Sequence, residues 1–212
     1  MSKKSQFENF DLGLYEANNE YGIPDIKPLY EFDELTPFVS FNQIKSRKRH
    51  ELGVHFFIDD YQFNRIWQRP KIYLNMLLKC RYVLTPDFSM FLDAPKAVNI
   101  FKHYQKQWVG RYLQDNGVNV IPSVLWTNNT SYSYCFAGIP KNAIIAVSSV
   151  GSQKNLLLKY MYKQGLEKAI EVLTPKLILF FGEIPKDITI DIPVVHYPNL
   201  FIEKFERMRY GS

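Results

Sequence analysis

Six short apolar runs, each rich in β-branched or aromatic residues, follow one another along the chain from Gly53 onward. Longer stretches of mixed polar and apolar residues separate the runs. The runs are Val54–Ile58, Tyr82–Thr85, Val118–Trp126, Ala143–Ser148, Leu177–Phe181 and Pro193–His196. Nearly continuous apolar strands are typical of a parallel sheet that is covered on both faces. The pattern therefore predicts a mostly parallel sheet of about six strands.

The stretches between the runs predict three helices. The first covers Tyr61–Lys79, and Pro70 within it marks a break or a new helix start. The second covers Pro95–Asn116, where apolar residues recur at three- and four-residue spacing, which is expected to leave His103 and Lys106 away from the core. The third runs from about Gln153 to Leu173 and is expected to turn four apolar side chains inward: Leu156, Tyr160, Ile170 and Leu173.

This order of elements predicts an α/β domain built from βαβ crossovers. Because six strands are too few for an eight-stranded barrel, we expect an open sheet, with an incomplete barrel as the second choice. Residues 126–140 lack a convincing long helix and are expected to form a loop at the rim. Residues 1–50 carry scattered aromatics without a regular period and are expected to form an arm packed on a single domain, residues 51–212.

The composition is that of an ordinary globular protein. Of the 212 residues, 46% are hydrophobic and 16% aromatic, which is more apolar material than a disordered segment carries. Cys80 and Cys135 lack metal-binding spacing and are expected to be free, buried thiols. No apolar run approaches the ~20 residues of a membrane helix, and the first residues contain no apolar signal segment. We therefore expect a cytoplasmic protein without a membrane contact.

The charge balance is moderately basic. The chain has 26 Lys and Arg against 21 Asp and Glu, a net charge of +5, which permits binding to nucleic acid or phosphorylated ligands without requiring it. One dense basic run contains Lys45, Arg47, Lys48 and Arg49. These side chains are expected either to contact a nucleic-acid backbone or to form a solvated charged turn.

Polar residues follow every predicted strand, at the edge where parallel α/β sheets bind their ligands. Asp59, Asp87 and Glu183 form the sharpest group, because carboxylates at neighbouring strand ends could act as an acid and a base. Asp59 and Asp87 could also hold a divalent cation such as Mg²⁺ or Mn²⁺. His196 is the candidate for proton transfer, whereas His55 lies inside a strand and is expected to be a core histidine. The same residue types also cap helices and begin turns, so each strand end has a purely structural interpretation too.

The segment Ser148–Lys154 is the predicted phosphate-binding loop. Its small residues allow close backbone approach, the following helix offers free N–H groups, and Lys154 adds positive charge. The residues expected to bind a ligand here are Ser148, Ser149, Gly151, Ser152 and Lys154. The spacing of the familiar nucleotide-binding loops is missing, and a plain helix cap by Ser152 is the structural alternative.

Two further ligand-binding candidates, Trp126 and Asn128, lie at the end of the third run. The Trp126 ring could serve as a stacking platform for a base or a sugar. Packing in the core is its structural alternative.

Five blocks of the chain are similar to a known family. They are Gly53–Phe63, Thr85–Ser89, Pro122–Trp126, Ala146–Gly151 and Pro175–Gly182. Together they resemble the phage- and mobile-element-associated domain of unknown function family 4417, over about residues 50–185. The resemblance implies a protein of a phage or its bacterial host cell, encoded near replication or host-takeover genes. It brings no assigned activity and no catalytic residues.

Three hypotheses of function follow from these observations. The favoured one is a phage-type accessory protein that binds nucleic acid or a host protein. The second is a metal-assisted hydrolase of a phosphoester or nucleotide-like substrate, with Asp59 and Asp87 as metal ligands and Glu183 or His196 as the base. The third is a self-associating scaffold. The sequence leaves open whether the chain is an enzyme, and it leaves the oligomeric state open.

Overall fold

Seven parallel β-strands and five α-helices form the part of the chain that the computed structural model describes, residues 8–46 and 49–198. The strands are β1 (Phe38–Ser40), β2 (Gly53–His55), β3 (Tyr82–Leu84), β4 (Val120–Ile121), β5 (Ile144–Ser148), β6 (Leu177–Phe181) and β7 (Val194–Tyr197). The helices are α1 (Asp60–Phe63), α2 (Arg65–Gln68), α3 (Pro70–Leu77), α4 (Lys96–Asp115) and α5 (Leu156–Leu173). Short 3₁₀ helices occur at Phe41–Ser46, Arg49–Glu51 and Asn129–Ser133. The predicted α/β class, with a parallel sheet and helices between strands, is confirmed.

The strands pair in the order in which they occur along the chain. β1 to β4 form one parallel sheet, and β5 to β7 form another. A parallel bridge between Ser123 and Ala146 connects the two sheets, and the Val124 N–H donates to the Ala146 carbonyl at 2.8 Å. Among the described residues, β1 and β7 end this series without pairing to each other, so the strands do not close into a barrel.

Side chains from both ends of the series nevertheless meet over one face of the sheet. The Phe38 ring of β1 lies 5.3 Å from that of Phe181 and 5.2 Å from that of Tyr197. The Tyr197 hydroxyl donates to the Thr36 carbonyl at 3.0 Å. The sheet therefore curls around a shared inner core that also contains Tyr82, Leu84, Ile121, Ile144, Ala146 and Leu179.

The opposite face of the sheet is covered by the helices. Helices α1 to α4 enclose one apolar cluster, in which the rings of Trp67 and Trp108 lie 5.5 Å apart in an edge-to-face arrangement. Helix α5 buries Leu166 and Ala169 in a second cluster that also contains Phe180 of β6. Side chains alternate between the faces of a strand, so the same strands supply both the inner core and the helix-covered core.

The chain before β2 is bound to the rest by aromatic residues. Trp108 Nε1 donates to the Gly13 carbonyl at 3.0 Å, and the Tyr15 ring lies 5.8 Å from the Trp108 ring. This stretch also contains β1, which was not among the six predicted strands because three residues are too few to show a period. β1 lies close to β2 because Gly53 leaves room for the Phe38 ring, from which a Cβ at Gly53 would be 2.5 Å away.

Helices α4 and α5 differ from the predicted division into polar and apolar faces. His103 and Lys106 of α4 are each 1% exposed, although surface positions were expected. Leu156 and Tyr160 of α5 are 84% and 62% exposed, although inward positions were expected. The prediction for α4 was wrong because this helix faces polar groups of the loops after β3 and β4. The prediction for α5 was wrong because the buried side chains of this helix begin only at Tyr162.

Other predictions about single groups and segments agree with the structure. Cys80 and Cys135 are buried thiols, with Cys80 Sγ donating to the Met76 carbonyl at 3.5 Å, and His55 is a buried histidine inside β2. Within residues 8–46 and 49–198, no helix combines the length and the apolar character that crossing a bilayer requires.

Candidate functional site

A cleft of about 410 Å³ opens at the carboxyl edge of the sheet, near the ends of β4 and β5. Its walls come from residues 90–93 before α4, residues 124–127 after β4, the loop after β5, and helix α5. Most of the lining side chains are apolar, and the polar ones are Asp93, Thr127, Ser148 and Ser152. The volume falls within the range of about 300–1,000 Å³ that is typical of ligand sites. The location is also the edge at which open α/β sheets bind ligands.

Trp126 forms one wall of the cleft because α5 has a glycine where the indole lies against it. A Cβ at Gly165 would be 2.0 Å from Trp126 Nε1, so a larger residue would displace the ring. The indole also packs against Tyr162, with the ring centroids 5.4 Å apart, and only 9% of Trp126 is exposed. Trp126 is thus a packed residue that still lines the cleft.

Tyr162 lines the same cleft and has a buried hydroxyl without a hydrogen-bond partner among the described residues. Burial raises the pKa of this phenol. Leaving a buried hydroxyl unpaired costs roughly 1–3 kcal/mol. A ligand with a polar group that formed a hydrogen bond to this hydroxyl would therefore gain binding free energy.

The predicted phosphate-binding loop borders the cleft, and its hydroxyls are hydrogen-bonded within the loop. Ser148 Oγ accepts the Val150 N–H at 3.2 Å, and Ser152 Oγ donates to the Ser149 carbonyl at 2.7 Å. Of the five loop candidates, Ser148 and Ser152 line the cleft. Ser152 would have to give up its bond to the Ser149 carbonyl in order to donate to a phosphate, whereas Ser148 accepts and keeps its own proton to donate.

Asparagine side chains cap the helices on both sides of the cleft. Asn155 Oδ1 accepts the Leu158 N–H at 2.9 Å and caps α5, the role that the structural alternative gave to Ser152. Asn128 Oδ1 accepts the Thr130 N–H at 3.1 Å and caps the 3₁₀ helix after β4. Gly151 adopts a φ of +81° between Ser149 and the helix, and Lys154 is exposed.

Exposed apolar side chains lie in the wall of the cleft and on the first turns of α5. They are between 46% and 84% exposed: Phe91, Leu92, Val150, Leu156, Leu157 and Tyr160. Sequence reasoning missed this feature, although the run Leu156-Leu157-Leu158 was a signal for it. Three consecutive leucines at a helix start cannot all face one core, because successive helix positions are about 100° apart.

A second polar group lies at the ends of β3 and β4. Asp87 Oδ1 is buried without a hydrogen-bond partner among the described residues. Burial raises the pKa of Asp87 to about 6, the charge of Asp60 adds to the rise, and Lys106 and Ser123 oppose it. Lys106 Nζ donates to the Ser123 carbonyl at 3.0 Å, and burial lowers the pKa of this lysine. Ser123 is also bound to Thr85, with the two Oγ atoms 3.0 Å apart.

Two further ionisable side chains lie beside Lys106. His103 Nε2 is 2.8 Å from the Ala137 carbonyl and therefore carries the proton, whereas Nδ1 is buried without a partner among the described residues. Burial and the charge of Lys106 lower the pKa of His103 to about 3. Burial raises the pKa of the Cys135 thiol to about 12, so this thiol stays protonated at neutral pH.

The predicted carboxylate pair differs by one residue from the one that the structure brings together. Asp59 is exposed and accepts only a long hydrogen bond, 3.4 Å from Gln62 Nε2. Its neighbour Asp60 accepts Ser89 Oγ at 2.8 Å and Lys102 Nζ at 3.4 Å, and it is close enough to raise the pKa of Asp87.

The remaining predicted catalytic residues lie on the surface. Glu183 and His196 are exposed, and His196 Nε2 lies 2.8 Å from the Gly182 carbonyl. In the part of the chain that the structure describes, no three His, Cys, Asp or Glu side chains are grouped as metal ligands would be. The roles predicted for Asp59, Asp87, Glu183 and His196 stay predictions.

The predicted nucleic-acid contacts cannot be placed in the same way. Arg47 and Lys48 lie outside the described residues, and the side chains of Lys45 and Arg49 lie outside the description as well. A role for this basic run in nucleic-acid binding stays a prediction.

Comparisons with known proteins agree with the resemblance found in the sequence blocks. The chain is 32% identical over 205 residues to the Gene 1 protein of Mycobacterium phage L5, which covers 93% of this chain and 88% of the relative. It is 29% identical over 203 residues to the Gene 1 protein of Mycobacterium phage D29, which covers 93% of this chain and 74% of the relative. No solved structure matches the chain. A family model described as a domain of unknown function, DUF4417, matches residues 15–198, from before β1 to the end of β7, and the chain therefore belongs to the DUF4417 family.

Proposed function

We propose that the chain is a phage-type accessory protein that binds a partner protein through the cleft at the carboxyl edge of its sheet. The observation that carries the proposal is the continuity between the cleft and the exposed apolar residues around it. Phe91, Leu92 and Val150 line the cleft and are at the same time exposed, and the exposed Leu157 lies one helical turn before the lining residue Met161. Contiguous exposed apolar patches of this kind mark interaction sites.

The composition of the cleft suits a protein partner. Protein interfaces derive most of their affinity from a few large side chains that fill apolar pockets. Met90 and Met161 line the cleft, and methionine adapts its shape to different side chains because it is unbranched and flexible. The similarity to phage Gene 1 proteins supports a host-cell setting, in which accessory proteins meet host proteins.

The other functions predicted from the sequence rely on additional groups. Nucleic-acid binding would use residues 45–49, and a hydrolase would use the strand ends that carry Asp59 and Asp87. These functions and a self-associating scaffold stay predictions, and the experiment on the cleft separates partner binding from nucleic-acid binding.

The test is a selection of displayed random dodecapeptides on the immobilised protein, followed by mapping of the bound peptides. The methyl groups of Met90 and Met161 report on the cleft, and Met76, which packs against the core under α3, is the internal control. We expect the selected peptides to shift the ¹³C-methyl signals of Met90 and Met161 and to leave Met76 unchanged.

A pair of matched variants makes this test specific. Leu158→Glu places a charge in the cleft wall, and Ile72→Glu places the same charge on an exposed position of α3 outside it. We expect Leu158→Glu to weaken the binding of the selected peptides at least about tenfold, or about 1.4 kcal/mol. Ile72→Glu should leave their affinity unchanged. Selection without enrichment, or peptides insensitive to Leu158→Glu, would contradict the proposal. Salt-sensitive DNA binding that Leu158→Glu does not weaken would point instead to nucleic acid.

A further inference from the structure

The lysines of α5 and of the loop before it differ in whether they form an ion pair. Lys163 and Lys168 lie further along α5 and pair with carboxylates, Lys163 with Asp187 at 4.0 Å and Lys168 with Glu171 at 2.6 Å. Lys154 and Lys159 flank the start of the helix, are exposed, and have no ion pair among the described residues. Lys154 and Lys159 therefore leave positive charge beside the lining residues Ser152 and Leu158, two positions and one position away along the chain.

The two long helices add to this positive charge. Both α4 and α5 begin next to segments that line the cleft, and neither has an acidic residue in its first turn. A helix N-terminus acts as roughly half a positive charge. Lys96 is the first residue of α4, and Asp93 is the one acidic residue in the described wall of the cleft.

Resting on the proposed function, we infer that the cleft binds an acidic segment of the partner protein. A large apolar or aromatic side chain of that segment fills the cleft, and Asp or Glu residues on either side of it lie against Lys154 and Lys159. Such a segment matches both properties of the surface, because the apolar cleft needs an apolar anchor and the unpaired lysines need negative charge. Complementary charge of this kind raises the association rate and selects against wrong partners.

A nucleic acid fits the same surface less well. Its negative charge would match the lysines, but a base that entered the cleft would find no free ring to stack on, because Trp126 is 9% exposed and its ring is packed against Tyr162. Of the two lining loop hydroxyls that could hold a phosphate, that of Ser152 already donates to the Ser149 carbonyl, which leaves that of Ser148 as the donor. The structure therefore favours an acidic peptide segment.

The inference is tested with the dodecapeptides selected on the wild-type protein. We expect them to be enriched in Asp and Glu around a large apolar residue, relative to the unselected library. In the variant Lys154→Glu/Lys159→Glu they are expected to bind at least about tenfold more weakly, and the wild-type affinity is expected to fall as NaCl is raised. The control Lys71→Glu/Lys141→Glu makes the same change in net charge at two exposed positions on α3 and before β5, and it should leave the affinity unchanged.

The outcomes distinguish this inference from the proposed function. Peptides that require an intact cleft but show no acidic enrichment, or that bind the Lys154→Glu/Lys159→Glu variant as tightly as the wild type, overturn the inference and leave the proposed function in place. The absence of any peptide sensitive to Leu158→Glu overturns both.

Discussion

The two long helices depart from the amphipathic pattern in opposite directions. Helix α4 buries five polar side chains, those of Asn99, His103, Gln105, Lys106 and Gln107. Helix α5 exposes three large apolar side chains in its first turns, those of Leu156, Leu157 and Tyr160. Asn99 and Lys106 find hydrogen-bond partners within the protein, whereas His103, Gln105 and Gln107 each keep one buried atom without a partner among the described residues. Under the proposed function, the buried polar side chains of α4 serve the fold and the exposed apolar side chains of α5 serve the partner.

The polar face of α4 also shapes the cleft that α5 borders. Asn99 Oδ1 accepts the Phe91 N–H at 3.0 Å, and Asn99 Nδ2 donates to the Phe91 carbonyl at 2.8 Å. Phe91 belongs to the segment that lines the cleft. A buried amide on α4 thus fixes the backbone of one wall, so the two helices contribute different things to the same site.

The largest expected effect in this comparison comes from Lys106→Met. The change keeps most of the side-chain volume but removes the donor to the Ser123 carbonyl and the positive charge that opposes the rise in the pKa of Asp87. Removing one of two buried charges that attract each other leaves the other uncompensated, which costs up to about 3–5 kcal/mol, so we expect a loss of about 3 kcal/mol in the free energy of unfolding, measured by urea denaturation at pH 8.

Two further variants make the Lys106→Met result specific. Asp87→Asn/Lys106→Met should regain part of the lost stability, because the amide needs no counter-charge while the Ser123 carbonyl still lacks its donor. Lys102→Met is the matched control on the same helix, where a partly exposed lysine lies 3.4 Å from Asp60, and it should cost less than about 1 kcal/mol. A Lys106→Met protein as stable as the Lys102→Met protein would show that the buried network does not serve the fold.

The pH dependence of stability is a smaller effect of the buried polar residues. Burial lowers the pKa of His55 and of His103 from 6.5 to about 3, so only the unfolded chain takes up protons at these two sites between those values. Stability that is fully present above pH 6.5 is therefore lost as the pH falls. Asp87 acts oppositely, because its pKa is raised from 3.8 to about 6 and the folded chain takes up its proton first. Between about pH 6 and 4 the unfolded chain therefore takes up one more proton than the folded chain. The free energy of unfolding falls by about 1.4 kcal/mol for each unit by which the pH is lowered.

His103→Gln tests this balance. Glutamine can still donate to the Ala137 carbonyl but does not titrate, so His55 and Asp87 should cancel and the slope between about pH 6 and 4 should become nearly flat. Urea denaturation at several pH values measures the slope. His50→Gln removes an exposed histidine and should retain the wild-type slope. An unchanged slope in His103→Gln would mean that His103 is protonated in the folded protein.

The sequence predicted the sheet more successfully than the helix faces, for a physical reason. A strand buried on both faces shows its burial as a continuous apolar run, and β6 was predicted with the bounds Leu177–Phe181 that it has in the structure. A helical wheel, in contrast, assumes that polar means exposed and apolar means buried, which fails for Lys106 and for Leu156. Their burial depends on which loops and strands lie opposite, and that information is not local in the sequence.

The candidate site was located by the same general rule but not in its details. Strand ends were expected to carry it, and Trp126, Ser148 and Ser152 do line the cleft. The choice of Asp60 over Asp59 near Asp87 depends on how the chain turns into α1, where adjacent residues point in different directions. The apolar character of the cleft depends on segments that meet only in the fold, residues 90–92, 124–126 and 158–162.

The smallest expected effect, the change in stability caused by Leu157→Ala, is the most direct test of the contrast between the helices. Leu157 and Leu166 lie on the same helix, 63% and 0% exposed. Leu166→Ala removes buried methyl groups and should cost about 2–5 kcal/mol in the free energy of unfolding. Leu157→Ala removes the same atoms from water and should change it by less than about 0.5 kcal/mol. Urea denaturation of both variants measures the difference, and peptide titration of Leu157→Ala should show weaker binding by a protein of unchanged stability. A loss of more than about 1 kcal/mol in Leu157→Ala would mean that the first turns of α5 are covered by the chain itself, and the proposed docking surface would then be part of the core.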